Sequence, residues 1–421
     1  MRINELILYK LNEKDDLIRD MAGLTEYFDS VLFYNCMNRI LETASRNGFY
    51  GNLWHCCLTD FLVNHENAYA LSCEIRETSN VSLKELVLHD FAILMEMFHY
   101  DFSDHLSEAE KKIFRHILEY QTGNDGGSIY NDRIRHMICE TAVLLGEVTD
   151  SIEAEKILSS FYRKYGVGKF GLHKAFRVQK NAEDTQIIPI RRIAHVHLDD
   201  LVGYEIAKKK LVENTEAFVS GRAANNCLLF GDAGTGKSSS IKAIVNEYYD
   251  RGLRIIEIYK HQFGELNQVI SQIKNRNYKF IIYMDDLSFE ESELEYKYLK
   301  AVIEGGMEKK PDNVLIYATS NRRHLIRETF RDKEDRRDDD IHKGDTVQEK
   351  LSLVARFGVT IFYSAPSKNE FQQIVLTLAE RNKITLPEEE LLAEANKWEL
   401  FHGGMSGRSA QQFINSILGR S

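Results

Sequence analysis

Through roughly the first 185 residues the apolar positions recur every three or four, the spacing of one buried helix face. The stretch Thr25 to Asn47 places Phe28, Leu32, Phe33, Cys36, Ile40 and Leu41 on one stripe, and Gly48 ends it. Ser82 to Tyr100 repeats the style with Leu83, Leu86, Leu88, Phe91, Leu94, Met95 and Phe98. Ser107 and Glu110 have the spacing of a capping box at the start of a further helix. Helices are also predicted over Ser128 to Glu147 and Ser151 to Tyr165. From about residue 195 the pattern changes to short apolar runs separated by helical segments. These predict strands at Cys227 to Phe230, Arg254 to Ile258, Phe280 to Met284, Val314 to Ala318 and Val359 to Tyr363. Such alternation is the signature of a five-stranded parallel sheet with helices on both faces. After Ser364 only helical patterns remain. The expected organisation is an all-α domain over 1–185, an α/β core over 195–365 and a small helical region over 366–421.

Composition adds limits. With 421 residues, 43% hydrophobic and 28% charged, the chain has apolar material for two or three cores. The net charge of -10 shows no overall basic face for nucleic acid. No apolar run approaches the roughly 20 residues that cross a bilayer, and the charged start MRINELILYKLNEKDD is not a secretion signal. The expected location is the cytoplasm, with no membrane partner. The cysteines Cys36, Cys56, Cys57, Cys73, Cys139 and Cys227 form no C-x-x-C pair and read as buried free thiols.

The chemistry concentrates in the second half. Gly231-Asp232-Ala233-Gly234-Thr235-Gly236-Lys237-Ser238 matches G-x-x-x-x-G-K-[ST] between an apolar strand and a helix, the latter running on from Ser239. Glycines at these places let backbone N–H groups turn inward around phosphates, and the helix N-terminus adds a positive dipole. The expected roles are Lys237 on the β- and γ-phosphates and Ser238 on Mg²⁺. A second glycine-rich match, Gly166 to Gly171, follows a helix rather than a strand and reads as a turn. The strand Phe280 to Met284 ends in Asp285 and Asp286. Acids at the tip of a buried strand need a partner or a task. Asp285 is placed to hold the Mg²⁺ shell and Asp286 to orient water. Asp is one methylene shorter than the Glu common at the second place, so slow hydrolysis, or help from Glu290 or Glu291, is expected.

Together these motifs resemble the AAA+ P-loop NTPases, and more closely the bacterial family labelled domain of unknown function 815. The residues that carry the likeness are Asp200 to Tyr204, Ala224 to Asn226, Gly231 to Ser240, Met284 to Glu290, Tyr317 to Leu325, Glu349 to Leu353, Arg356 to Gly358 and Ser406 to Arg408. The likeness covers about 195–421, and only loosely the helical first half. It implies further roles. Asn321 matches the first sensor of the γ-phosphate, with Thr319 the weaker candidate. The strand before Asn321 is expected between those bearing the phosphate loop and Asp285. Arg356 matches an arginine finger aimed at a neighbouring subunit. Arg408 matches the second sensor in a helical lid. Val202, Gly203 and Tyr204 match the segment lining the adenine pocket.

The expected function is therefore that of an ATPase using ATP and Mg²⁺, forming a homo-oligomer and acting on a protein partner through the helical domain. A nucleic-acid loader and a slow nucleotide switch are the alternatives. The only aromatic pore-loop candidates, Tyr259 and Phe263-Gly264, match protein-threading enzymes poorly. Arg322, Arg323 and Arg327 read as an intersubunit or salt-bridged cluster, and the charged run 331–345 as a solvated loop.

Overall fold

The computed structural model describes the chain apart from residues 1, 13–14, 75–80, 122–130, 182–183, 192, 194–195, 290–294, 305–310, 322–324, 326–352 and 420–421. The charged run, Arg322, Arg323, Arg327, Glu290 and Glu291 lie outside the described residues. The chain divides into two compact units, Met1–His173 and Lys174–Ser421.

The first unit is helical: α1 (Asp16–Glu26), α2 (Ser30–Asn47), α3 (Leu53–Asn64), α4 (Ala68–Cys73), α5 (Val81–Phe98), α6 (Glu108–Leu118), α7 (Asp132–Glu147), α8 (Ser151–Tyr165) and the short α9 (Gly168–Leu172). Local chemistry sets the boundaries. The Asp29 carboxylate accepts the N–H groups of Val31 and Leu32 at the start of α2, and Gly48 ends it with φ 74°. Ser107 and Glu110 form the expected capping box. Phe33, Ile40, Leu58, Leu62, Phe91, Leu94, Leu145 and Leu158 share one core. The N-terminal segment is fastened by Asp90 of α5, a fully buried carboxylate that accepts from the backbone of Ile7 at 2.9 Å, Leu8 at 2.7 Å and Tyr9 at 2.8 Å. All six cysteines are buried free thiols. Gly166 caps α8 at φ 86°, so the second glycine-rich match is a helix end, with no strand leading into it.

The second unit holds β1 (Ala175–Lys180), β2 (Thr185–Pro189), α10 (Glu205–Val219), β3 (Cys227–Gly231), α11 (Lys237–Tyr248), β4 (Leu253–Glu257), α12 (Leu266–Ile273), β5 (Lys279–Met284), α13 (Glu295–Glu304), β6 (Val314–Ser320) and β7 (Val359–Tyr363). Among the described residues the sheet has seven strands rather than five, in the order β2-β1-β4-β5-β6-β3-β7. Every pairing is parallel except β1 with β2. The two extra strands form a hairpin on the β4 edge, which moves the end of the helical unit from the expected 185 to 173. Central β6 is buried at every position, as its unbroken apolar run requires. It lies between β3 and β5, where the resemblance places it.

Three helices close the chain: α14 (Lys368–Arg381), α15 (Glu388–Phe401) and α16 (Gly407–Leu418). They pack Phe371, Val375, Leu391, Ala395, Phe413 and Ile414 into a small core of their own. Ser367 with Glu370 caps α14, and Ser406 with Ser409 caps α16.

Candidate nucleotide site

The three central carriers of chemistry stand at the C-terminal ends of adjacent parallel strands, β3, β6 and β5. That is where an open α/β sheet places its ligand. Beyond β3 the chain turns through Gly231 to Gly236. Gly231 has φ 135°, and a Cβ there would meet the Tyr363 carbonyl oxygen of β7 at 2.0 Å, so only glycine lets the two strand ends close up. Gly234 and Gly236 also adopt positive φ, which turns the loop back into α11.

Lys237 opens α11 and is 6% exposed. Its ammonium donates to the carbonyls of Gly231 at 2.9 Å and Asp232 at 2.6 Å, and to Asn321 Oδ1 at 3.1 Å. Burial lowers its proton affinity from the ordinary lysine value, against the opposing pull of Asp232, Asp286 and Asp285. Thr235 Oγ1 donates to the Asp232 carbonyl at 2.8 Å and steadies the turn.

Asp285 is the hub of a hydroxyl cluster. Its Oδ1 accepts from Ser238 Oγ at 2.8 Å, Tyr283 OH at 2.7 Å and Thr319 Oγ1 at 2.6 Å. Lost hydration pushes its carboxyl up, the largest single influence. The hydroxyls of Thr319, Tyr283 and Ser238 outweigh that push, with help from Lys242, and hold it below the ordinary carboxylate value. All three donors use one oxygen of the carboxylate. Ser238 and Asp285 thus fit Mg²⁺, which keeps one or two protein ligands and takes its remaining oxygens from phosphate and water. Among the described residues no cluster of three or more His, Cys, Asp or Glu could hold a metal by itself.

Asp286 adopts φ 50°, its N–H donates to Thr319 Oγ1 at 3.0 Å, and its Oδ1 accepts from Asn321 Nδ2 at 2.8 Å. Asn321 therefore bridges Lys237 and Asp286. The helices after β7 close the other side. The Arg408 N–H donates to the Gly234 carbonyl at 3.2 Å, and a Cβ on Gly234 would meet Ser406 Oγ at 2.9 Å. Arg381 of α14 donates to the carbonyls of Asp199 at 2.6 Å and Asp200 at 3.1 Å.

These elements enclose a cavity of about 590 Å³. Val202, Tyr204, Ala233 to Ser239, Asp285, Asp286, Thr319, Asn321, Ile374 and Arg408 line it. Gly203, with φ 83°, sits between Val202 and Tyr204 in the same segment. The Tyr204 ring lies 5.3 Å from that of Tyr363, and burial, then the charges of Glu370 and Asp232, lift its phenol to about 12. Arg356 is the exception: it precedes β7, is half-buried, and is not among the residues lining its own chain's cavity. Sequence reasoning passed over Tyr283 and undervalued Thr319. A usable signal existed for Tyr283, since positions i and i+2 of a strand share a face and its phenol can reach Asp285.

Among known proteins, a family model described as Protein of unknown function (DUF815) matches residues 171–421. No curated protein matches the chain. Among solved structures, a point mutant of RuvB from Thermotoga maritima is 13% identical with TM-score 0.33, over 52% of this chain and 71% of that one. The FIGL-1 AAA domain in complex with ADP is 17% identical with TM-score 0.37, over 53% and 73%. The Thermotoga maritima RuvB Holliday junction branch migration motor is 14% identical with TM-score 0.32, over 52% and 71%. The sheet order, the loop between β3 and α11 and the closing helices are those of an AAA+ P-loop fold, and the family match spans more than half of the sequence; the chain belongs to the DUF815 family.

Proposed function

We propose that this protein binds ATP with Mg²⁺ at the cavity between β3 and the helical lid, hydrolyses it slowly, and assembles through that nucleotide to act on a macromolecular partner. The observation that carries this reading is the convergence of Lys237, Ser238, Asp285, Asp286, Asn321 and Arg408 on one cavity. In this reading the backbone of Gly231 to Ser239 cradles the phosphates. Lys237, Asn321 and Arg408 meet the γ-phosphate, Ser238 and Asp285 hold the cation, and Val202, Gly203 and Tyr204 line the adenine side. The cation's chemistry is to neutralise charge developing on the β- and γ-oxygens. Asp286 orients the attacking water.

Arg356 lies off its own cavity, which favours a role at a neighbour's nucleotide. Such a finger contributes about 10³–10⁵ in rate, so an isolated subunit would turn over poorly. The helical unit is the element proposed to engage a protein partner. Of the two aromatic candidates Phe263 is buried and Tyr259 is exposed, which gives little support to protein threading. A second reading, a binding switch that scarcely turns over, rests on Asp286, whose short carboxylate is held by Asn321.

Calorimetric titration with ATP and Mg²⁺ tests the site. Lys237→Ala should abolish measurable binding, and retained affinity would overturn the assignment. Light scattering with and without ATP tests assembly. A monomer in both, with turnover indifferent to Arg356→Ala, would overturn that part.

A further inference from the structure

One acidic side chain beside the phosphate loop has no phosphate-binding task. The Asp232 backbone N–H donates to the Tyr363 carbonyl at 3.0 Å, and its own carbonyl accepts from Lys237 at 2.6 Å. Its carboxylate Oδ2 accepts the N–H of Ala365 at 2.7 Å. Ala365 stands two residues beyond β7, in the connector 364–367 that leads into α14. A carboxylate next to a polyphosphate is electrostatically unfavourable. Its place calls for a benefit of another kind.

We propose that Asp232 is the latch by which occupancy of the phosphate loop sets the position of the lid. This deepens the ATP reading and rests on it. Lys237 now spends its ammonium on the carbonyls of Gly231 and Asp232 and on Asn321. An incoming phosphate claims that cation and leaves the Asp232 carbonyl held by Thr235 Oγ1 alone. Asp232 then reorients, and its carboxylate carries the connector with it. The loop's other tie to the lid, Arg408 N–H on the Gly234 carbonyl, lies two residues away, so both lid contacts respond to the same short segment.

Tyr204 stands beside the same connector. Its hydroxyl is buried with no hydrogen-bond partner, its ring lies against Tyr363, and the charges of Asp232 and Glu370 both act on it. A buried hydroxyl without a partner disfavours the arrangement that contains it.

Hydrogen–deuterium exchange on the full chain tests this in three states: free, with ADP and Mg²⁺, and with a non-hydrolysable ATP analogue and Mg²⁺, saturation being set by calorimetry for each variant. In the unsubstituted protein the Ala365 amide should exchange about tenfold differently between free and loaded states. Asp232→Ala should speed free-state exchange about tenfold and erase the difference between states. Asp232→Asn keeps one acceptor oxygen and should fall between the two; if the alanine variant does not fold, this intermediate value decides. Unchanged free-state exchange in either variant, or an undiminished difference between states, overturns the latch alone. Absence of nucleotide binding by the unsubstituted protein overturns the ATP reading and the latch together.

Discussion

Replacing Tyr283 by Phe removes one oxygen atom and leaves the ring in its packing, at 2% exposure. The lost hydroxyl is one of three that donate to Asp285 Oδ1. A hydrogen bond to a charged group contributes about 1.5–3 kcal/mol net. Two donors remain on the same oxygen, so the low end, about 1.5 kcal/mol, applies. That corresponds to about tenfold in an equilibrium constant. The loss should be specific to the cation-dependent part of binding, because Tyr283 meets Asp285 and Ser238, the two residues that fit the cation. Titration with a fluorescent ADP analogue separates the two parts. With Mg²⁺ the affinity of Tyr283→Phe should fall about tenfold, and in EDTA it should stay within about twofold. Equal losses in both buffers would show that the phenol supports the cavity as a whole. No loss in either would show that Ser238 and Thr319 suffice to position Asp285. Either result would refute the reasoning.

Two further outcomes follow from other sites. Gly231→Ala must place a methyl 2.0 Å from a backbone oxygen of β7 at a φ of 135°, so steric overlap and backbone strain together should cost about 3 kcal/mol or more in chemical denaturation; a loss under about 1 kcal/mol would mean that the β3–β7 contact yields easily. Burial lifts the Asp60 carboxyl to about 6, against an opposing hydrogen bond from Asn64, so the folded protein holds this proton after the unfolded chain has released it. Its contribution to stability is greatest below about pH 4 and falls as pH rises to about 6. The full shift would convert to about 3 kcal/mol, but the residue is only half-buried and solvent screening reduces this to about 1–2 kcal/mol. Asp60→Asn should raise the melting temperature at pH 8 and flatten the slope between pH 4 and 6; an unchanged slope would assign the titration elsewhere.

The legible parts of the sequence are those where local chemistry and tertiary structure agree. β3 to β6 lie inside the sheet and β7 at its edge, and most of them read as unbroken apolar runs. The phosphate loop is legible because its glycines are demanded by backbone conformation. Asp285 and Asp286 are legible because charge at the tip of a buried apolar strand must be met by a cation or by hydrogen-bond donors. β1 and β2 were not legible. They form an edge hairpin, so Arg177, Gln179 and Lys180 point outward and break the apolar run, and the sequence 181–184 between them contains no glycine. Asn321 and Arg408 came from family likeness, since no spacing rule brings the end of β6 or the start of α16 to the loop. The contacts of Asp285 with Thr319, and of Asp232 with Ala365, join residues 34 and 133 positions apart, and only the folded chain shows them.

The buried Asp90 also imposes an order in time. Its three backbone donors lie near the start of the chain, 81 to 83 residues earlier. At roughly 5–20 residues per second of synthesis, the segment through Tyr9 leaves the ribosome about 4–16 s before the carboxylate that fastens it. During that interval it lacks this anchor. Once α5 has formed, those same three N–H groups are already available to its carboxylate. The first residues are therefore fastened only once α5 has emerged, and a fragment lacking them would leave the buried Asp90 without these three donors.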